Sequence, residues 1–168
     1  MNSKNKIDYI SKWIKEYANS LTFQSASLVI GVSGGIDSAV TSALCAKTGF
    51  KTIAISMPIK QNINQHDLSL KHLNWLKKNF DNVETKIIDL DNVFQSFENT
   101  MKDFSSNLAF ANSRSRLRMV TLYQIAQANK GIVVGTGNKV EDFGVGFYTK
   151  YGDGGVDISP IADCTKTQ

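Results

Sequence analysis

Residues 31–38 combine glycine, serine and aspartate directly after an apolar, mostly β-branched run. Gly34 and Gly35 permit a close approach of the backbone to a ligand, and Ser33 and Ser38 place hydroxyls beside the N–H groups of a following helix. These groups suit a pyrophosphate, so the segment predicts a phosphate-binding loop. We call this segment the phosphate loop, and its members are Gly31, Val32, Ser33, Gly34, Gly35, Ile36, Asp37 and Ser38.

Asp37 lies within this loop, where its negative charge would repel a phosphate unless a cation stood between them. A carboxylate shared with phosphate oxygens is a usual way to hold Mg²⁺, so we assign Asp37 to magnesium. The loop lacks the Gly-Lys-Ser/Thr ending that grips the β- and γ-phosphates in kinases and GTPases, so γ-phosphate transfer is not favoured. The alternative is a tight turn and helix N-cap, where the same residue types are common.

A second polar group follows the last apolar run, at residues 135–141. Thr136 could hydrogen-bond the nucleotide, and Glu141 could supply a second carboxylate for the metal. A structural alternative exists for Glu141, because glutamate also stabilises the first turn of a helix. Both residues are candidates for the nucleotide site.

Three arginines, Arg114, Arg116 and Arg118, occur within five residues. On a helix, Arg114 and Arg118 share one side and Arg116 points elsewhere, so at least one guanidinium can face inward. The planar guanidinium suits phosphate or carboxylate. The alternative is a solvated basic face at the start of a helix.

Residues 146–160 are dense in aromatic residues, glycines and acids. Lys150 could meet a phosphate, and Asp157 could accept hydrogen bonds from ribose hydroxyls. Long loops of this kind are usually functional, although a hairpin or a plain loop would explain the composition as well.

The elements that must position these residues alternate between strand and helix. Short β-branched runs at 28–32, 52–57, 83–88 and 131–135 predict strands, and helical patterns occur at 7–21, 38–47, 67–80, 93–101 and 116–129. Apolar strands joined by helices indicate a parallel sheet with helices on both faces. The sequence therefore predicts an α/β fold with a doubly wound parallel sheet, which binds ligands at the carboxyl ends of its strands.

Residues 33–38 resemble the signature of the ATP pyrophosphatase superfamily, whose Rossmann-like members split ATP into AMP and pyrophosphate while activating a carboxylate or carbonyl. Together with the arginine segment, residues 135–141 and residues 146–160, they are similar to ammonia-dependent NAD synthetase over most of residues 28–168. The resemblance implies amidation of deamido-NAD to NAD through an adenylated carboxylate. It also implies a homodimer.

The resemblance assigns residues to each substrate. It gives the phosphate loop, Thr136 and Lys166 to ATP, and it gives Asp37 and Glu141 to Mg²⁺. For deamido-NAD it indicates Arg116, Lys150 and Asp157, with weaker claims for Arg114 and Arg118. No protein nucleophile is expected, because positioning and charge stabilisation suffice for this chemistry.

Composition limits the class of protein. A chain of 168 residues with 42% hydrophobic residues can bury one core, so we expect a single domain over residues 1–168. No apolar stretch approaches the roughly 20 residues of a membrane span, which predicts a cytoplasmic protein. The net charge of +4 falls short of the clustered basic stripe that is expected of a nucleic-acid-binding protein.

The cysteines and histidines lack partners at ligand spacing, so no catalytic role is expected for Cys45, Cys164, His66 or His72.

Two features of the resemblance concern the ends of the chain. The family continues past residue 168, so we expect a C-terminally incomplete domain, and no glutaminase-type module precedes Met1, which predicts free ammonia as the nitrogen donor. One alternative is another ATP pyrophosphatase, such as a tRNA-modifying or GMP-forming enzyme. Another is a truncated nucleotide-binding module without turnover.

Overall fold

The computed structural model of the protein describes residues 2–21, 27–146 and 148–167. Phe147, an aromatic residue of the 146–160 segment, lies outside the described residues. The elements in chain order are α1 (Ser3–Ser20), β1 (Ser27–Gly31), α2 (Ile36–Lys47), β2 (Lys51–Ser56), α3 (Ile63–Asn79), β3 (Val83–Ile87), α4 (Asp91–Thr100), α5 (Asn107–Ala128) and β4 (Gly131–Val133). A short 3₁₀ turn (Lys102–Phe104) and a π-helical turn (Val140–Val145) complete them.

The described strands form one parallel sheet in the order β3-β2-β1-β4. The chain runs outward from β1 to β3 through α2 and α3, and returns to the opposite side of β1 through α4 and α5. The predicted doubly wound parallel sheet is therefore confirmed. Because the direction of winding reverses between β1 and β4, a crevice opens at the carboxyl ends of these two strands.

Strands β1, β2 and β4 are largely buried on both faces, as is usual in a parallel sheet, whereas the edge strand β3 is partly exposed. Successive side chains of a strand point to opposite faces, so Leu28 and Ile30 enter one core and Val29 enters the other. The first core includes apolar residues of α1, α2 and α3, namely Ile14, Ala18, Leu44, Cys45, Leu73 and Leu76. The second includes apolar residues of α4 and α5, namely Phe94, Met119, Leu122 and Ala126.

Helix α5 begins earlier than the sequence pattern predicts, at Asn107 rather than Arg116. Ser106 caps the helix, because its Oγ accepts a hydrogen bond from the Ala109 N–H at 3.3 Å. The apolar residues of the first turns are consecutive, at 108–111, and polar residues follow to 116, so the spacing of three and four residues that marks a helix in a sequence is absent. All three arginines consequently lie well inside α5.

No helix in the described part of the chain is long and apolar enough to cross a membrane.

Candidate functional site

The phosphate loop connects the end of β1 to the start of α2. Gly34 has φ +91°, and a Cβ at this position would lie 2.4 Å from the Gln65 carbonyl oxygen. Only glycine fits here, since both the backbone conformation and the contact with α3 exclude a side chain. Gln61, just before α3, makes a second contact with the loop, because its Nε2 donates to the Ser33 carbonyl oxygen at 3.0 Å.

Hydrogen bonds within the loop fix its shape. The Ser38 Oγ donates to the Gly35 carbonyl oxygen at 2.9 Å and accepts from the Ser33 N–H at 3.2 Å, while the Gly35 N–H donates to the Ser33 Oγ at 3.2 Å. Gly35 is the N-cap of α2, and no side chain among the described residues caps that helix. Its first N–H groups and its dipole therefore favour an anion.

Asp37 and Glu141 meet at one cation. The Lys166 Nζ lies 2.7 Å from Glu141 Oε1 and 3.5 Å from Asp37 Oδ2. The hydrogen bond with Glu141, followed by the charge of Asp37, raises the pKa of Lys166. Three residues that the sequence assigned to ATP and metal are thus brought together from three separate segments.

The two carboxylates have the donor atoms that Mg²⁺ prefers. The described residues contain no group of three or more His, Cys, Asp or Glu side chains arranged around a metal position. Mg²⁺ usually takes one or two carboxylates and completes its shell with water and phosphate oxygens. Asp37 and Glu141 at the mouth of a phosphate loop therefore fit a magnesium ion that is shared with a nucleotide.

Asn138 positions Glu141, and the sequence pattern did not single it out. Its side chain is buried, and Oδ1 accepts from the N–H groups of Val140 at 2.9 Å and Glu141 at 3.1 Å. The neighbouring Lys139 N–H donates to the Cys164 carbonyl oxygen at 2.9 Å, which ties this turn to the segment of Lys166. An asparagine before a helical turn is a common cap, and this feature of the sequence could have identified Asn138.

A cleft of about 480 Å³ adjoins the phosphate loop at the carboxyl ends of β1, β2 and β4. Its apolar walls come from Met57, Ile59, Met119, Leu122, Val134 and Val156, and its polar groups include Ser33, Gln61, Ser115, Arg118, Thr136 and Asp153. Apolar walls with a few convergent polar groups are typical of a small-molecule site. Thr136, predicted to contact the nucleotide, lines this cleft.

The three arginines have different surroundings. The Arg118 Nε donates to the Met57 carbonyl oxygen at 3.0 Å, and this side chain lines the cleft. Arg116 is exposed, and its Nε donates to the Lys150 carbonyl oxygen at 3.0 Å. Arg114 lies 5.6 Å from the centre of the Phe94 ring. The sequence gave Arg118 a weaker claim than Arg116, yet it is Arg118 that lines the cleft.

Asp157 makes contacts within the protein. Its Oδ2 accepts from the Val133 N–H at 2.7 Å, and its Oδ1 accepts from the Tyr123 hydroxyl at 3.1 Å. Burial, followed by the charge of Asp157, raises the pKa of Tyr123 to about 12. A carboxylate has about four lone-pair sites, so Asp157 can still accept from a ligand. Its assignment to deamido-NAD stays a prediction.

Asp153 connects residues 149–153 to α5. Asp153 Oδ1 accepts from the Thr149 N–H at 2.8 Å and from the Ser115 Oγ at 2.9 Å. Lys150 is exposed, with its Nζ 5.2 Å from the centre of the Tyr151 ring. Neither Lys150 nor Arg116 lines the cleft.

Comparison with known proteins identifies one family to which this chain is similar. A model of the family described as NAD synthase matches residues 6–168. The chain is 38% identical to an NH(3)-dependent NAD(+) synthetase of Mesoplasma florum, over 100% of this chain and 67% of that protein. It is also 38% identical to the Finegoldia magna protein of the same name, over 99% and 66%.

A solved structure supports the same conclusion. The structure of NMN synthetase from Francisella tularensis matches with a TM-score of 0.87 at 32% identity, covering 99% of this chain and 67% of that one. The chain thus spans about two thirds of the length of these relatives. The family resemblance seen in the sequence motifs is confirmed, and the chain belongs to the NAD synthase family.

Proposed function

We propose that this protein amidates deamido-NAD to NAD with ammonia, converting ATP to AMP and pyrophosphate. The proposal rests on one observation above all: Asp37, Glu141 and Lys166 converge at a pre-shaped phosphate loop beside an apolar cleft. Family membership makes another ATP pyrophosphatase reaction, such as tRNA modification or GMP formation, the less favoured reading. The activity, its substrates and its partners are assigned here as proposals, because the chain spans two thirds of its relatives.

ATP binds with its phosphates on the phosphate loop in this proposal. The uncapped start of α2 and the Ser33 hydroxyl supply hydrogen-bond donors, and Thr136 contacts the nucleotide from the end of β4. The apolar part of the cleft suits the adenine ring. Lys166 turns its ammonium to the phosphates, for which it is already positioned by Glu141.

Asp37 and Glu141 would hold Mg²⁺ between them and the phosphate oxygens. The ion would offset the negative charge of the triphosphate and so make the α-phosphorus accessible to an anionic nucleophile. Both side chains are only partly exposed, which limits competition from water for the same oxygens.

The chemistry needs two displacements. The nicotinate carboxylate attacks the α-phosphorus of ATP, and pyrophosphate leaves to give an acyl-adenylate. Ammonia then attacks the acyl carbon through its lone pair, AMP leaves, and the surplus proton passes to solvent. No protein side chain forms a covalent bond in this scheme, so the contribution of the protein is positioning and charge stabilisation.

Arg116, Lys150 and Asp157 bind deamido-NAD in this proposal. All three are exposed and lie on or beside the 146–160 segment. A homodimer is part of the proposal, with the dinucleotide site drawing on both subunits. Large exposed apolar side chains on α4 and at the start of α5 support it, since such surface often marks a protein contact, and they include Val93, Phe97 and Leu108.

NMN formation is the second candidate, favoured by the similarity to the NMN synthetase structure. It would use the same carboxylate activation on a nicotinate mononucleotide. The two candidates differ only in whether the substrate includes the second nucleotide half. We assign the reaction to the cytoplasm as part of the proposal.

Product analysis tests the proposal. The purified chain is incubated with ATP, Mg²⁺ and ammonium, and with either deamido-NAD or nicotinate mononucleotide, and the products are separated by chromatography. NAD together with AMP is the expected result, and NMN formed in preference to NAD would favour the second candidate. A full-length relative serves as the positive control, and glutamine replaces ammonium in a parallel sample. If the control turns over and this chain forms neither product nor AMP, the proposed activity is wrong for this chain.

A further inference from the structure

Arg118 has a charge without a partner in the cleft. Its Nε donates to the Met57 carbonyl oxygen, and neither a carboxylate nor a further protein acceptor contacts the guanidinium within the described part of the chain. Burial, followed by the charge of Arg114, lowers the pKa of Arg118. An arginine stays protonated even so, and a partly buried cation is stabilised by an anion.

The position of Arg118 indicates what that anion is. The cleft that it lines also includes Gly31 and Ser33 of the phosphate loop and Thr136 at the end of β4. A ligand that fills the apolar part and reaches the loop occupies the same cleft as this guanidinium. The Met57 contact orients the planar group, so its remaining N–H donors are presented as a fork, which matches two oxygens of a phosphate.

The neighbouring arginines do not share this position. Arg116 is turned to the Lys150 carbonyl oxygen, and Arg114 packs over the Phe94 ring. Neither lines the cleft. Arg116 is assigned to deamido-NAD in the proposed function, so it is not a control. Arg114 is the matched control, because it has the same side chain and charge on the same helix and lies outside the cleft.

We propose that Arg118 is a further substrate-binding residue, which holds a phosphate group of a nucleotide in the cleft through its terminal guanidinium nitrogens. The inference rests on the proposed function and deepens it. The phosphate belongs either to ATP or to the dinucleotide, and the two sources are distinguished by the ligands used below.

Calorimetric titration tests the inference on the 168-residue chain and on its Arg118→Gln and Arg114→Gln variants. The ligands are ATP and adenosine, and deamido-NAD and nicotinic acid riboside, so each phosphorylated ligand has a neutral nucleoside partner. We expect Arg118→Gln to weaken binding of either ATP or deamido-NAD by about 10- to 100-fold, the effect of losing hydrogen bonds to a charged group. Its binding of the neutral nucleosides and the binding of all four ligands by Arg114→Gln should change by less than about twofold.

A structural role for Arg118 predicts a different pattern. If the arginine only supports the Met57 segment, Arg118→Gln will weaken the nucleoside and the nucleotide alike, and that result would overturn the inference. Unchanged binding of both phosphorylated ligands would overturn it too. Arg118→Lys keeps the charge but loses the planar fork, so we expect it to recover part of the affinity.

A measurement on the unaltered chain covers the case in which Arg118→Gln does not fold. Arginine-selective modification with phenylglyoxal is followed by peptide mass spectrometry, with and without ATP or deamido-NAD. We expect one of these ligands to slow the modification of Arg118 and to leave the modification of Arg114 unchanged. If neither ligand changes the rate at which Arg118 is modified, the inference is contradicted. If the unaltered chain binds neither nucleotide, the proposed function fails and the inference fails with it. Normal binding with no dependence on Arg118 overturns the inference alone.

Discussion

The phosphate loop and the 146–160 segment present their polar groups in different ways. The shape of the loop is fixed by Gly34, which no other residue can replace without strain, and by hydrogen bonds among Ser33, Gly35 and Ser38. Gln61, from the loop after β2, also donates a hydrogen bond to the Ser33 carbonyl oxygen. No side chain among the described residues caps α2, so the first N–H groups of that helix can bind a ligand. In the 146–160 segment the acidic groups are already hydrogen-bonded to α5 and β4.

The difference indicates that the contacts of this chain alone shape the proposed ATP site. The second site has exposed candidates without a cleft of their own, which agrees with a proposed dinucleotide site that is completed by another subunit. Preorganisation lowers the cost of ordering on binding, so substitutions in the loop should have the larger effects.

Gly34→Ala gives the largest expected effect. The added Cβ meets the Gln65 carbonyl oxygen in a backbone conformation that alanine rarely adopts, so the loop must rearrange. We expect a loss of about 1–3 kcal/mol in the free energy of unfolding and a rise of at least about 100-fold in the Kd for ATP, by denaturant titration and calorimetry. Gly49→Ala is the control, because Gly49 has φ +82° with open space around it and lies outside the loop. Normal ATP binding by Gly34→Ala would mean that the loop is not preformed.

Asp157→Ala tests whether the second region depends on protein contacts. The Val133 N–H loses its acceptor, and an unsatisfied buried N–H costs about 1–3 kcal/mol. Denaturant titration should show this loss. Calorimetry should show that the substitution weakens the binding of deamido-NAD more than it weakens the binding of ATP. Tyr123→Phe removes only the hydroxyl contact and is the matched control. Equal weakening of both ligands by Asp157→Ala would count against its assignment to deamido-NAD.

Lys166→Met separates the phosphate loop from its cation. We expect the Kd for Mg²⁺-ATP to rise by about 10-fold, as for the loss of one charge-assisted contact. Lys139→Met is the control, since Lys139 is exposed and the structure shows no ion pair for it among the described residues. Calorimetry measures both. Unchanged ATP binding by Lys166→Met would remove this lysine from the proposed site.

The pH dependence of stability gives the smallest expected effect. Tyr123 has a pKa of about 12 in the folded protein and 10.0 as its ordinary value, so the folded state holds this proton more tightly. Stability should therefore fall as the pH rises from 10 towards 12, and the fall should be smaller in Tyr123→Phe. The difference should stay below about 1 kcal/mol, because solvent screens a partly exposed ring. Thermal unfolding across this pH range measures it, and identical curves would contradict the coupling to Asp157.

Much of the fold follows from the sequence. The start of each strand is predicted within one residue, because buried parallel strands are continuous apolar runs bounded by polar residues. The start of α5 is missed by nine residues, since its first apolar residues are consecutive and are followed by polar ones, which gives no helical periodicity. That residues 1–168 form one domain stays a prediction.

The candidate site was predictable where chemistry needs particular residue types. Asp37 and Glu141 were predicted from the residues themselves and Lys166 from the family resemblance, and the structure brings the three side chains together. Their binding roles stay predictions.

Asn138 and Gln61 were not identified, because their roles depend on hydrogen bonds to backbone atoms that only the folded chain brings near. The residue types alone could not rank the three arginines. The family resemblance favoured Arg116, whereas Arg118 is the one that lines the cleft.

An isotope measurement tests the central claim most directly. Deamido-NAD with both oxygens of its nicotinate carboxylate labelled with ¹⁸O is incubated with the chain, ATP, Mg²⁺ and ammonium. The masses of the products are then measured by mass spectrometry. Attack of the carboxylate on the α-phosphorus predicts that one ¹⁸O passes to AMP while the NAD amide keeps the other. Label appearing in inorganic phosphate, together with ADP, would place the attack at the γ-phosphorus and contradict the role that we assign to the phosphate loop.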